Sequence, residues 1–124
     1  MTTAALARNR YLGDSVSTAS PQRLVVMLYD GLVQDIQLAQ QGIARGDVVL
    51  VHTRLVRAQA IVEELQSSLN LDAWEGARVL HQLYTYVLEL LVDANVRKDA
   101  EPLGQALAVV EPLQDAWRQA LGSS

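Results

Sequence analysis

From residue 18 onward, apolar side chains recur every three or four positions in four successive blocks. In the first, Val25, Leu28, Leu32, Ile36, Ala39 and Ile43 share one helical face. Thr18-Ala19-Ser20-Pro21 marks its start. The Ser20 hydroxyl can accept from an orphan backbone N–H, and Pro21 at the first helical position gives up an N–H that has no intrahelical partner. Arg45-Gly46-Asp47 marks its end, with glycine suited to the left-handed residue after a last turn. The second block, Val51, Leu55, Ala58, Val62, Leu65 and Leu69, is a heptad seam that breaks at Asn70-Leu71-Asp72. Asp72 with Glu75 three residues on predicts an Asp-led capping box opening the third helix. That helix carries Leu80, Leu83, Val87, Leu90 and Ala94, and a corner follows at Asn95 to Asp99. The last block is Leu103, Leu107, Val110, Leu113, Trp117 and Leu121. Pro102 falls in its first turn and is tolerated, whereas Pro112 in the interior predicts a bend or break near Val109.

Four helices of about 20 residues, joined by short turns, favour antiparallel neighbours. The pattern predicts an all-α fold, an antiparallel up-and-down four-helix bundle over residues 18–122. Residues 1–17 are polar and aperiodic apart from Tyr11, Leu12 and Val16, and read as a flexible N-terminal arm.

Composition narrows the function classes. The 124 residues suffice for one domain, half are hydrophobic, and only 19% are charged, so a disordered polyelectrolyte is excluded. There is no cysteine, hence no disulfide or thiolate site. A net charge of −4 argues against general nucleic-acid affinity. No stretch approaches the ~20 apolar residues of a membrane helix. Arg8 and Arg10 near the N-terminus have no apolar block after them, unlike a secretory leader. These features point to a soluble cytoplasmic protein that does not insert in membranes.

Little supports catalysis. A di-metal bundle needs inward-facing Glu-x-x-His pairs, but Val49 and Arg78 stand three residues before His52 and His81. No glycine-rich phosphate loop is present, and Ser15, Ser17 and Ser20 lack a nearby base. Glu63-Glu64 and Glu75 read as solvated faces and a cap; Arg54 with Arg57, and Arg97-Lys98, read as ordinary surface charge. Neither an enzyme nor a cofactor or metal is expected.

Apolar residues nevertheless spread beyond one stripe. The first helix adds Leu24, Val26, Met27, Tyr29 and Val33, and the third adds Tyr84, Tyr86, Leu88, Leu91 and Val92. A helix apolar almost all round needs cover on most sides, and four helices cannot supply all of it. The cover is a partner segment, the N-terminal arm, or a second copy in a homodimeric adaptor.

The run Thr18-Ala19-Ser20-Pro21 followed by Met27-Leu28-Tyr29-Asp30-Gly31 resembles the signature of the flagellin-specific export chaperones, the FliS family. Ala58 to Leu65, Leu69 to Asp72, Leu83 to Tyr86, Ala94 to Asp99 and Ala116-Trp117 are similar to later segments of that family in the same order. The resemblance spans roughly residues 11 to 118. Departures from the family pattern are Leu32 after Tyr-Asp-Gly, Glu75-Gly76 for paired glycines, Thr85 between the tyrosines, and Pro112 in a helix usually free of proline.

The resemblance implies a cytoplasmic chaperone without an ATP site. It would hold the C-terminal segment of flagellin in hydrophobic grooves, prevent premature polymerisation and hand the client to the flagellar export gate. The implied partner-binding residues are Tyr11, Leu12, Tyr29, Asp30, Gly31, Tyr84 and Tyr86. Tyr11 would cover a groove until a client displaces the arm. Tyr29 and Asp30 are either a client-facing or arm-holding pair, or a core tyrosine beside a hydrogen-bonded carboxylate. Tyr84 and Tyr86, two apart on a helix, point in different directions, so at most one is deeply buried. Trp117 reads as core.

Overall fold

The computed structural model describes residues 20–122 as four helices and their links: α1 (Pro21–Arg45), α2 (Val48–Ser67), α3 (Glu75–Arg97) and α4 (Glu101–Gly122). Tyr11 and Leu12 lie outside the described residues. The start of α1 follows the capping rule, with Ser20 Oγ accepting from the Arg23 N–H at 3.2 Å and Pro21 at the first helical position. Its end is closed by Gly46 at φ 72°, while the Asp47 and Gly46 amides donate to the Gly42 and Ile43 carbonyls. Asp47 then caps α2 by accepting from the Leu50 N–H at 3.1 Å. One short link therefore ends one helix and begins the next in the reverse direction.

The helices form a ring in which each packs on two neighbours: α1 on α2 and α4, and α3 on α2 and α4. Leu32, Ile36, Leu55, Val62, Val87, Leu91, Leu103 and Val110 fill the interior. Ala39, Ala58, Ala94 and Ala106 have no exposed surface, so the core mixes large side chains with methyl groups, which lets backbones approach closely. The heptad seam of α2 is buried from Val51 to Leu65, and Leu69 packs half-buried at its end.

Two expectations of local structure are corrected. Asp72 does not cap α3; the helix starts at Glu75, and Trp74 occupies the cap position without a side-chain hydrogen bond. The Asp72 carboxylate is drawn to the Arg78 guanidinium instead, at 3.3 Å, and its own N–H is taken by Asn70 Oδ1. The Trp74 ring lies over the start of α3, so close to Gly76 that no Cβ fits there. In α4 the helix runs through Pro112 without a break. Pro112 and Ala108 are both exposed, so the carbonyl that Pro112 cannot serve faces water rather than a dry interior.

Where α1 packs on α2, the tightest glycine is Gly42. A Cβ on it would stand 2.9 Å from Val51 Cγ2, against 3.4 Å from Ile61 Cδ1 for Gly31. Alanine gains about 0.5–1 kcal/mol of helix propensity at either site. At Gly42 overpacking against a stiff β-branched neighbour outweighs that gain, at a typical cost of about 1–3 kcal/mol. Thermal unfolding is expected to show Gly42→Ala destabilised and Gly31→Ala unchanged or more stable; the reverse order would refute this packing.

Candidate functional site

Tyr29 on α1 and Tyr84 on α3 belong to helices that are not neighbours in the ring, yet their hydroxyls meet at 2.5 Å across its interior. The half-buried Trp117 of α4 packs against the same core, near the Tyr29 hydroxyl. Burial pushes the Tyr29 and Tyr84 hydroxyls above the usual phenol range, so both remain protonated and able to donate. Two helices that are not ring neighbours are thus joined by one hydroxyl pair inside an apolar core.

Tyr29 is fully buried and Tyr84 nearly so, whereas Tyr86 keeps 44% of its surface exposed. The two tyrosines of α3 therefore point apart, one inward and one outward. Asp30, the next residue on α1, leaves the core and reaches α4. Its Oδ1 accepts from Gln114 Nε2 at 2.9 Å and from Arg118 Nη2 at 2.7 Å. Gly31 turns toward α2 and Ile61. Of the residues the resemblance implied, Asp30 and Tyr86 are the ones this conformation presents clearly to solvent. Tyr29 and Tyr84 meet inside, while Asp30 sits at the α1–α4 edge.

On the α1–α2 seam, Asp35 is almost fully buried and faces Arg54 Nη1 at 3.3 Å, with Arg57 Nε 4.0 Å from its other oxygen. Burial raises its pKa above 3.8, and the pull of Arg57 and Arg54 in the opposite direction does not fully compensate.

The outward apolar surplus is real, but it is distributed differently from the expectation. Val26, Tyr29, Val33, Tyr84 and Leu91 sink into the core. Met27, Val49, Val56, Trp74, Val79, Tyr86, Val92 and Val96 stay exposed. Val49, Val56 and Val96 were not singled out from sequence, although the seven-residue spacing of Val49 and Val56 off the buried seam of α2 was a readable signal. On α3, Thr85, Leu88, Glu89, Val92, Asp93 and Val96 line a shallow trough.

Among the described residues no group of three or more His, Asp or Glu side chains could hold a metal ion, and no helix is long and apolar enough to cross a membrane. The fold and surface define a small all-α bundle with a clasped polar–aromatic interior and an apolar exterior along α2 and α3. The family described as "Flagellar protein FliS" matches residues 3–124, and the chain belongs to that family. It is 36% identical over 113 residues to the flagellar secretion chaperone FliS of Bacillus subtilis, covering 91% of this chain and 84% of the relative. It is 32% identical over 107 residues to the protein of the same name from Salmonella typhimurium, covering 85% and 79%. With its Campylobacter jejuni counterpart it shares 31% identity over 115 residues, covering 92% and 90%.

Two predictions follow from these contacts. Tyr29→Phe strands the buried Tyr84 hydroxyl, and Tyr84→Phe strands that of Tyr29, each at a cost of about 1–3 kcal/mol. Urea unfolding of the two variants checks this; a variant as stable as wild type would contradict the buried bond. For Asp35 the folded pKa lies above the unfolded one, so its proton favours the native state. That contribution is complete below pH 3.8 and is lost as pH rises through the raised folded value. The stability of wild type relative to Asp35→Asn therefore falls from acid toward neutral pH, and a difference that grows instead would overturn the assignment.

Proposed function

We propose that this chain is a flagellar secretion chaperone whose client is the C-terminal segment of flagellin. The observation that carries the reading is the family match over nearly the whole chain, together with relatives that bear the name of flagellar secretion chaperone. The chemistry of the surface supports a carrier, since exposed aliphatic and aromatic side chains stand out from the helical frame. A client segment that is disordered until it assembles can fold as an amphipathic helix against such a frame. Coupled folding of this kind returns several kcal/mol as ordering cost, which suits a grip that must later be released.

In this reading the protein works in the cytoplasm and passes its client to the export gate. Tyr86 and Asp30 take part at the surface, residues 1–17 form an arm that guards a groove through Tyr11 and Leu12, and Tyr29, Gly31 and Tyr84 shape the frame from behind. Size-exclusion chromatography of the purified chain with a C-terminal flagellin fragment is expected to give a 1:1 complex. Deleting residues 1–17 is expected to leave the unfolding temperature nearly unchanged while altering client affinity. An unchanged elution profile on adding the fragment would overturn the client assignment, and collapse of the truncated protein would overturn the role of the arm.

A further inference from the structure

Two polar clasps pin the outer seam between α2 and α3. At one end Gln66 Nε2 donates to Thr85 Oγ1 at 2.7 Å and to the His81 carbonyl at 3.2 Å. At the other, His52 Nδ1 and Asn95 Nδ2 lie 3.1 Å apart. At the helical rise these clasps stand about 15–20 Å apart along the bundle, the length of three to four helical turns. Between them the antiparallel register sets Val56 of α2 level with Val92 of α3, and Leu88 lies half-buried on the same edge. Val56 and Val92 are 47% and 46% exposed, and Val49 and Val96 beyond the His52 clasp are 73% and 79% exposed.

Valine is a poor choice for an exposed helical position on propensity grounds, because its branched β-carbon loses rotamer freedom there. Four of them around one seam are not accounted for by helix formation. Between the two clasps the unpaired charges beside the seam are acidic, while Lys98 stands at the His52–Asn95 end and donates to the Asn95 carbonyl and Oδ1. Glu63 on α2 and Glu89 on α3 are exposed and have no ion-pair partner among the described residues. Asp93 is held by Arg97 through two hydrogen bonds. Arg54 and Arg57 turn to the opposite side of α2, toward Asp35. A second copy docked by the same face would set these uncompensated carboxylates against each other.

We infer that the α2–α3 seam, from the Gln66–Thr85 clasp to the His52–Asn95 clasp, is a docking groove for a three- to four-turn amphipathic helix of a partner protein, with an aliphatic stripe flanked by basic residues. The aliphatic stripe covers Val56, Leu88 and Val92, and lysine or arginine side chains on its borders reach Glu63 and Glu89. The inference rests on the reading of the chain as a carrier of helical clients, and it adds the place and the charge preference of the grip.

The test uses the full chain and two synthetic amphipathic peptides of equal length with the same leucine stripe, one bordered by lysines and one by glutamates, followed by fluorescence anisotropy. The lysine peptide is expected to bind at least tenfold tighter than the glutamate peptide, with the gap narrowing as salt rises. Val92→Asp is expected to weaken the lysine peptide at least tenfold with circular dichroism unchanged. The pair Glu63→Lys and Glu89→Lys is expected to reverse the preference. Equal binding of the two peptides, or indifference to these substitutions, overturns the groove. So does binding that appears only after residues 1–19 are removed, which would make the chain's own N-terminal segment the occupant. Self-association abolished by Val92→Asp would likewise assign the seam to a second copy. A flagellin fragment run in parallel separates the two readings. Its undiminished binding to Val92→Asp and to the lysine pair sinks the groove alone, whereas its failure to bind wild type sinks the client assignment.

Discussion

A ring of four helices encloses one core, and each helix has only one side to give to it. Whatever apolar surface exceeds that side faces water unless another chain covers it. In this protein the inward sides are filled to closure by leucine, isoleucine, valine and alanine, and the Tyr29–Tyr84 bond adds a polar cross-tie where hydroxyls must find partners. The frame therefore needs nothing from a client to be complete. That leaves the exposed valines of α2 and α3 with no role in the fold itself, and their place in the molecule follows from this constraint.

The polar contacts between helices act as separate clasps on separate seams. Asp30 joins α1 to α4, Asp35 joins α1 to α2, and Gln66 and His52 join α2 to α3. Each fixes register where the apolar stripe alone would tolerate sliding. A rigid frame of this kind presents its outer seams in one geometry, so a flexible segment that lies along one of them bears nearly all of the ordering cost. Such a division suits a carrier, in which the holder stays folded and the cargo changes state.

Much of this architecture was legible in the residue pattern. The heptad seam of α2 and the Ser20-Pro21 and Gly46 signals located helices and turns because each rests on local chemistry that tertiary packing did not override. The start of α3 was misread because Asp72 has two candidate partners, a backbone amide and the Arg78 guanidinium, and spacing cannot rank them. Pro112 was misread because the cost of a missing N–H depends on whether the orphaned carbonyl is wet, which is a property of the folded surface. Tyr29 and Asp30 are adjacent in sequence but one sinks into the core and the other ties the α1–α4 edge, and the apolar count of that helix could not separate sunken from exposed positions. The acidic border of the seam was invisible for a similar reason, since Glu63 and Glu89 come together only through the antiparallel pairing of α2 and α3.

The most direct test of the account is methyl-resolved NMR of the full chain titrated with a flagellin C-terminal fragment. The account predicts that the methyl signals of Val56, Leu88, Val92 and Val96 move or broaden together, while those of the interior residues Leu32, Leu55 and Leu103 hold their positions. Changes confined to the α1–α4 side around Asp30 and Arg118, with the valines of α2 and α3 unmoved, would contradict it.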